Sequence, residues 1–179
     1  MLRVQLRFET IRSIVGSDEL SVILLTDLSR QRALSVVCDE QVTRQILLRL
    51  HARQQCENLL PEALVKMLDD HYQMMVYGLH NGQYQVVLSN SSFKHNARLR
   101  FGDAVWLNIV AGYPLYMEQS LFLHQSLPFE EESGQLAIPI NTMDMERLNR
   151  LLQKAIDDEN YELASKVRDE IKRRNENDR

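Results

Sequence analysis

The stretch Leu34-Ser35-Val36-Val37-Cys38-Asp39 joins an apolar strand to a helix, because apolar residues recur at helical spacing from Val42 to Leu50. A counterpart, Ala97-Arg98-Leu99-Arg100-Phe101-Gly102-Asp103, leads into an apolar helix that runs through Val110. An aspartate at a helix start accepts hydrogen bonds from the first free backbone N–H groups. The sequence therefore predicts that Asp39 and Asp103 begin helices at equivalent strand-to-helix junctions.

Three strands are predicted ahead of each junction. The strand-like segments are 2–8, 20–26 and 32–37 before the first helix, and 73–79, 83–89 and 94–100 before the second. Asn81-Gly82 predicts a tight hairpin, because both residues tolerate positive φ. A further helix is expected from Pro61 to His71. We therefore predict an α+β fold of duplicated strand-strand-strand-helix units, whose strands form a mixed or antiparallel sheet.

The C-terminal segment has a higher charge density than the rest of the chain. Residues 144–179 hold ten acids and nine bases, whereas residues 1–143 hold fifteen acids and twelve bases. Apolar residues in the segment recur at helical spacing on either side of Asp157-Asp158-Glu159-Asn160. We predict an α+β body at residues 1–125, a linker at 126–142 and a C-terminal α-helical hairpin at 143–176.

A helical hairpin of this size is not expected to be stable alone. Burying about ten apolar side chains does not offset the conformational entropy that is lost when about 35 residues become ordered. The hairpin therefore needs a partner surface, which the body, a second copy of the chain or another protein can supply.

Composition excludes several classes of protein. The chain of 179 residues is 44% hydrophobic, and its formal charge of −4 gives no general attraction for nucleic acid or an anionic membrane. No apolar run approaches the ~20 residues of a bilayer span, and Met1 is followed by strand-like alternation rather than by a signal peptide. Cys38 and Cys56 lack the spacing of a zinc or redox site. We expect a cytoplasmic protein with no membrane partner.

The hairpin carries a family signature. It resembles the UVR motif of the excision-repair proteins UvrB and UvrC and of adaptors of Clp-type proteases. The matching positions are Leu148, Leu151-Leu152, Ala155-Ile156, Glu159, Tyr161-Glu162, Ala164-Ser165 and Arg168-Asp169-Glu170-Ile171. The resemblance implies a hairpin that docks a protein partner through residues 143–176, and it does not single out DNA repair.

The body resembles a divergent member of the bifunctional nuclease family. Leu34-Ser35-Val36-Val37-Cys38 stands where that family has a Leu-Pro-Ile-hydrophobic-Ile strand. Arg100-Phe101-Gly102-Asp103-Ala104-Val105 and Pro114-Leu115-Tyr116 stand where it has Arg-x-Ser-Asp-Ala-Ile and a later Pro-Ile strand. The resemblance implies hydrolysis of DNA or RNA assisted by Mg²⁺ or Mn²⁺. The chain departs from the family at Cys56-Glu57-Asn58-Leu59, which replaces Thr-His-Asp-Leu, and at Arg98, which replaces an acid.

On this resemblance Asp103 and Arg100 are the main candidate catalytic residues, and Glu57 is a weaker one. Asp103 and Asp39 are the candidate metal ligands, because carboxylate oxygens suit these cations, and the Arg100 guanidinium is suited to clamp a phosphate. The residues alone favour a simpler account, in which each aspartate caps a helix and Arg100 pairs with Asp103. A candidate basic strip comprises Arg44, Arg49 and Arg53 with Lys94, Arg98 and Arg100.

The sequence leaves the function open. One hypothesis is a metal-dependent nuclease with a docking hairpin. The alternative is a catalytically silent adaptor, with a body that is a homo-oligomer or scaffold and a hairpin that recruits a repair or Clp-type machine. A structural oligomer with no nucleic-acid role is a third hypothesis.

Overall fold

A computed structural model of the chain describes residues 2–13, 20–68, 71–90, 92, 96–129 and 140–177. The strands are β1 (Arg3–Ser13), β2 (Leu20–Asp27), β3 (Arg32–Asp39), β4 (Tyr72–His80), β5 (Gln83–Asn90), β6 (Asn96–Leu99), β7 (Leu115–Glu118) and β8 (Leu127–Pro128). The α-helices are α1 (Glu40–His51), α2 (Leu60–Met67), α3 (Phe101–Ala111), α4 (Gln119–Gln125), α5 (Met145–Asp157) and α6 (Tyr161–Asn177). Short 3₁₀ helices span Arg53–Cys56 and Ile140–Thr142.

The strands form one mixed sheet in the order β6-β5-β4-β7-β1-β2-β3-β8. Neighbouring strands are antiparallel except β4 and β7, which are parallel. The unit β1-β2-β3-α1 and the unit β4-β5-β6-α3 therefore extend in opposite directions from β7. This arrangement confirms the predicted α+β fold with two strand-strand-strand-helix units.

Alternation along the strands places the main core on one face of the sheet. Buried residues that lie opposite each other in neighbouring strands include Ile23 and Val36, Val76 and Val86, Leu6 and Leu115, and Met74 and Leu115. Helices α1, α3 and α4 cover this face with Ile46, Val105 and Phe122. Burying a side chain of this size stabilises the fold by about 1.5–3 kcal/mol.

The sheet is strongly curved, because residues of β3 and β6 line the same cleft although six strand steps separate them. In a flat sheet that separation corresponds to about 29 Å, at about 4.8 Å per strand. The starts of α1 and α3 also meet at this cleft. A Cβ added to Gly102 would lie only 2.8 Å from Val42 Cγ2, so glycine is needed for this close approach.

Two predicted helix boundaries were wrong. Helix α2 ends at Met67 rather than at His71, because Leu68 is already extended and Tyr72 begins β4. Helix α3 begins at Phe101, two residues before the predicted start at Asp103, and Arg100 is the residue that precedes the helix. The apolar face of α2 is also exposed, with Leu60 at 70% and Met67 at 77%.

The segment after α3 contains elements that the sequence patterns did not indicate. Helix α4 has only seven residues, and β8 has only two. Leu127 and Pro128, in the predicted linker, pair with Ala33 and Arg32 of β3. Residues 130–139 of that linker, and Lys94 of the predicted third strand of the second unit, lie outside the described residues.

The C-terminal hairpin packs against the body. Leu148 of α5 and Val167 of α6 form a second buried cluster with Met143 and with Val37 of β3. Val37 lies on the face opposite the main core, because its neighbours Val36 and Cys38 belong to that core. The body is therefore a partner surface for the hairpin, one of the three that the sequence left open.

Candidate functional site

A cleft of about 400 Å³ lies where the two units and the hairpin meet. Its walls come from the end of β3 and the start of α1, the β4–β5 turn, the end of β6 and the start of α3, and the first turn of α5. Val36, Leu99 and Phe101 contribute apolar surface, whereas three arginines and Asp39 contribute charge. The volume falls within the range of small-molecule sites in proteins.

The three arginines of the cleft are Arg98, Arg100 and Arg147, from β6, the start of α3 and α5. The side chain of Arg98 makes no hydrogen bond or ion pair with any residue that the structure describes. Arg100 is held by Asp103, because its Nε donates to Oδ2 at 2.7 Å and its Nη2 donates to Oδ1 at 3.1 Å. Arg147 Nε lies 3.4 Å from Asp144 Oδ2. Two of the three arginines are therefore paired with aspartates, and Asp39 adds a further negative charge to the lining of the cleft.

The two helix starts at the cleft differ in their caps. Asp39 Oδ1 accepts a hydrogen bond from Val42 N at 2.8 Å and so caps α1. Arg100 occupies the corresponding position of α3 and provides no side-chain cap. The structural counterpart of Asp39 is thus Arg100 and not Asp103, which corrects the predicted equivalence. The free N–H groups at the start of α3, together with its helix dipole, attract negative charge.

Tyr84 of β5 lines the same cleft and is only 5% exposed. Its ring centroid lies 5.0 Å from that of Phe101. Its buried hydroxyl has no hydrogen-bond partner among the described residues. Burial raises the pKa of this phenol, so the hydroxyl stays protonated near neutral pH. A buried hydroxyl without a partner typically costs about 1–3 kcal/mol.

Cys38 also lines the cleft, but its thiol is not a suitable nucleophile. Burial raises the pKa of this thiol to about 11, and its Sγ lies 3.4 Å from Thr43 Oγ1. Only the thiolate is strongly nucleophilic. Cys38 is therefore a protonated packing residue near neutral pH.

The carboxylates predicted as metal ligands already have other partners. Asp39 accepts the capping hydrogen bond of α1, and both oxygens of Asp103 accept from Arg100. Asp103 lines a second groove with Trp106, whereas Asp39 does not line it. Among the described residues, no three His, Cys, Asp or Glu side chains come together to hold a metal ion. As they stand, these residues do not fit a resident Mg²⁺ or Mn²⁺ ion, and the expected cofactor stays a prediction.

The other candidate residues lie apart from the cleft. Glu57 follows the 3₁₀ helix Arg53–Cys56, is exposed and lines neither the cleft nor the second groove. The basic strip is not continuous, because Arg49 is buried, with its Nε 2.7 Å from Glu62 Oε1 and its guanidinium 4.6 Å from the Trp106 ring. Arg98 and Arg100 are the members of the strip that line the cleft.

One end of the hairpin is fastened by Arg174, which is buried near the C-terminal end of α6. Its Nη2 donates to Asn141 O at 2.9 Å, its Nε donates to Glu170 Oε1 at 2.8 Å, and its Nη1 donates to Met143 O. The β4–β5 turn contacts the same point, because a Cβ added to Gly82 would overlap the Met143 carbonyl. This end of the hairpin is therefore held against the body.

The opposite end of the hairpin is exposed. Glu159 adopts a positive φ of 56°, and Asn160 Oδ1 accepts from Leu163 N at 3.2 Å, so the turn closes between α5 and α6. Ile156 is 46% exposed and Tyr161 is 68% exposed. We call this end the hairpin tip, and define it as Ile156, Tyr161 and the exposed acids Asp157, Asp158, Glu159 and Glu162.

Two short helices that pack through one face and are joined by a polar turn match a known motif. Residues 145–175 match the UVR family, the UvrB/uvrC motif. The predicted UVR motif is thus confirmed, and such a motif suggests an interaction or docking module. The match lies within the C-terminal hairpin, so the resemblance of the body to bifunctional nucleases stays a prediction. No curated protein matches the chain. Among the helices described, none has the length and apolar character needed to cross a membrane.

Sequence patterns did not indicate Arg147 or Tyr84 as residues of the cleft. Arg147 lies in the UVR hairpin and Tyr84 in a strand of the body, far in sequence from Asp39 and from Arg100. Their approach depends on the curvature of the sheet and on the packing of the hairpin. The period-two and helical patterns of a single sequence carry no signal for either feature.

Proposed function

We propose that this chain is a docking adaptor, in which the body holds the UVR hairpin and the hairpin tip binds a protein partner. One observation supports this function above all. The hairpin is fixed to the body through Val37 and through the Arg174 end, whereas Ile156 and Tyr161 stay exposed at the other end. A hairpin held in this way presents its tip with little loss of conformational freedom on binding.

The hairpin tip favours a partner with a basic surface around an apolar pocket. Tyrosine and isoleucine can fill such a pocket, and tyrosine is enriched among the residues that dominate binding energy. The acids around them give the tip a negative field, although Lys166 Nζ lies 2.6 Å from Glu162 Oε1 and offsets one of them. Complementary charge increases the association rate and excludes acidic partners. Clp-type ATPases and excision-repair proteins are the candidates that the UVR resemblance suggests.

The adaptor function can be tested with a matched pair of tyrosines. Tyr161→Ser removes the exposed ring at the tip, and Tyr77→Ser removes a ring that is 43% exposed on β4 of the body. Binding of the full chain to a purified Clp-type ATPase and to purified excision-repair proteins is measured by calorimetry at low and high salt. We expect one of these machines to bind, and Tyr161→Ser to weaken its binding by roughly tenfold or more while Tyr77→Ser does not.

Two results would contradict the adaptor proposal. Equal affinities for Tyr161→Ser and Tyr77→Ser would remove the tip from the interface. No binding to either class of machine would remove the proposed partners. Binding should weaken at high salt if the exposed acids of the hairpin tip contribute to it.

A second proposal is the nuclease function that the body's resemblance implies. The observation in its favour is that Asp39 and Arg100 line one cleft and that Asp103 holds Arg100. The test is incubation of the chain with single- and double-stranded DNA and RNA, with Mg²⁺, Mn²⁺ or EDTA. Cleavage that needs the metal and disappears in Asp103→Ala would establish it, and equal cleavage by the variant would reject Asp103.

Self-association of the body is the remaining proposal. The exposed apolar face of α2, which includes Leu60, Leu64 and Met67, is where a second copy is expected to pack. Sedimentation velocity measures the oligomeric state of the wild-type chain and of Met67→Glu. A monomeric wild-type chain would reject the proposed homo-oligomer.

A further inference from the structure

The cleft where the two units meet runs along the backbone edges of two strands. It is lined by residues 36–39 of β3 and by residues 98–99 of β6. Consecutive residues of a strand lie on opposite faces of a sheet, as Val36 and Val37 do. A cleft that is lined by both kinds of residue is therefore at the edge of each strand and not on one face of the sheet.

The edge of β3 that faces the cleft is unpaired within the part of the chain that the structure describes. Strand β8 pairs with no residue of β3 beyond Ala33. Phe129 N donates to Gln31 O at 2.9 Å, so the odd-numbered residues of β3 point their backbone groups towards β8. Beyond the reach of β8, the N–H and C=O groups of Ser35 and Val37 therefore point to an open edge.

Strand β6 presents an open edge in the same way, because β5 is its neighbour in the sheet on one side and no described strand lies on the other. The turn between β4 and β5 has two residues with positive φ, so the residues that flank it form a hydrogen-bonded pair. Gln83 and the other odd-numbered residues of β5 thus bond to β4, and the even-numbered ones bond to β6. Val86 faces Leu99, so the N–H and C=O groups of Arg98 point to the open edge.

An open strand edge is completed by another strand. Its N–H and C=O groups bond to an extended backbone, which offers donors and acceptors at the same spacing. Edges from both units line this cleft, so a strand placed there meets hydrogen-bonding groups on two sides. Alongside residues 36–39 of β3 such a strand has about four residues, since both strands rise by about 3.3 Å per residue.

The lining of the cleft determines which side chains that strand carries. Val36, Leu99 and Phe101 provide apolar surface. Two of the three arginines are paired with aspartates, and Asp39 adds a negative charge, so the lining favours neither sign of charge. The matching occupant is a neutral segment with apolar side chains at alternate positions, which all lie on one face of a strand.

We infer that the cleft binds an extended, neutral peptide segment of a second protein, which adds a strand between the edges of β3 and β6. This inference deepens the adaptor function and rests on it for the source of the peptide, because an adaptor holds a second protein while its tip holds the machine. Arg147, in the first turn of α5, lines the cleft, and Ile156, in the last turn, lies at the hairpin tip. The 13 residues of α5 separate the two sites by about 20 Å, so both can be occupied together.

The probes are four fluorescein-labelled heptapeptides, with serine at odd positions and valine, leucine, isoleucine or phenylalanine at even positions. Fluorescence anisotropy measures their binding to the full chain. We expect at least one to bind, and a heptapeptide of serine alone to bind at least about tenfold more weakly, because it cannot use the apolar wall.

Methylation of the peptide backbone tests strand pairing directly. Methyl groups on the backbone nitrogens of the serines remove the N–H donors along one edge of the bound peptide, and methyl groups on those of the apolar residues remove the donors along the other. Each modification should weaken binding of the best heptapeptide by about tenfold or more, because both edges are paired.

Two substitutions of one residue separate the backbone of β6 from its side chain. Arg98→Pro removes the N–H of the open edge and the guanidinium, whereas Arg98→Gln removes the guanidinium alone. Proline is tolerated on the open side of an edge strand, because that N–H takes no part in the ladder. We expect Arg98→Pro to weaken binding of the best heptapeptide by about threefold to tenfold, and Arg98→Gln by less than about twofold. Melting curves without peptide verify that both variants are folded.

Hydrogen exchange of the wild-type chain locates the added strand. The amides of Val37 and Arg98 should exchange faster than those of their neighbours Val36 and Leu99, whose N–H groups bond to β2 and β5. The best heptapeptide should slow the exchange of Val37 and Arg98.

Four results would overturn the inference. Failure of all four heptapeptides to bind would reject the site. Equal binding by the best heptapeptide and both of its methylated forms would reject strand pairing, and so would unchanged exchange at both Val37 and Arg98. Equal affinities of Arg98→Pro and Arg98→Gln would place the peptide away from β6. Peptide binding is measured without any machine, so its failure leaves the adaptor test with Tyr161→Ser standing.

Discussion

Gly82 and Gly112 provide a matched test of the contact between the hairpin and the body. Both adopt positive φ, 77° and 71°, where an L-residue typically costs about 1–2 kcal/mol. A Cβ at Gly82 would lie 2.9 Å from the Met143 carbonyl carbon and 3.0 Å from Arg174 Nη1, whereas nothing lies within 4 Å of a Cβ at Gly112. Alanine therefore adds similar strain at both positions, but a clash at only one.

The clash sets the size of the expected difference. Gly112→Ala should lower the free energy of unfolding by about 1–2 kcal/mol, from backbone strain alone. Gly82→Ala should also disturb the hydrogen bond from Arg174 to Met143 O, and a bond to a charged donor contributes about 1.5–3 kcal/mol. The expected loss for Gly82→Ala is therefore about 2.5–5 kcal/mol.

Part of that loss should appear as local opening of the hairpin, because Met143 and Arg174 connect it to the body. Native-state hydrogen exchange measures this opening directly, and urea denaturation measures the global loss. We expect faster exchange in α5 and α6 for Gly82→Ala and unchanged exchange there for Gly112→Ala. Equal losses of stability, with equal protection of α5 and α6, would refute the contact between the β4–β5 turn and the hairpin.

Three further predictions concern buried polar groups. Arg49→Ala should lower the free energy of unfolding by about 3 kcal/mol, because it leaves the Glu62 carboxylate without its buried partner. Arg44→Ala removes the exposed Arg44–Glu40 pair and should change the free energy of unfolding by less than about 0.5 kcal/mol. Denaturant titration measures both values. Tyr84→Phe should keep or raise the Tm, because it removes an unpartnered hydroxyl, and a lower Tm would show that the hydroxyl is bonded. Stability should fall as the pH rises from 9 to about 11, since the Cys38 thiol then stays protonated in the folded chain and ionises in the unfolded one; Cys38→Ala should reduce that slope.

Local patterns were sufficient for much of the body and the hairpin. Strand patterns located β1 to β6, Asn81-Gly82 located a hairpin turn, and helical spacing located α1, α3, α5 and α6. The patterns failed where an element is short, as in α4, or where the chain leaves a helix early, as at Leu68. They also gave no sheet order, because the central position of β7 between the two units depends on pairing distant in sequence.

The candidate site was only partly predictable, for a related reason. Arg100 was chosen on the resemblance of the body to a known family and Asp39 on its place at a strand-to-helix junction, and the curvature of the sheet brings both to one cleft. Arg147 comes from the hairpin, whose docking surface the sequence left open among three possibilities. Its place in the cleft follows from a tertiary contact that centres on Val37. Such a contact has no periodic signature in either segment.

The duplicated fold explains why the cleft is asymmetric. Two similar units place two helix starts side by side, and each start presents free N–H groups to the same space. In the first unit the preceding residue is Asp39, whose carboxylate accepts one of those bonds and adds negative charge. In the second unit the same position holds Arg100, which leaves the N–H groups of α3 without a side-chain acceptor and pairs with Asp103. A single difference at equivalent positions thus gives the cleft one helix start with a side-chain cap and one without, and Arg147 of the UVR hairpin also lines this cleft.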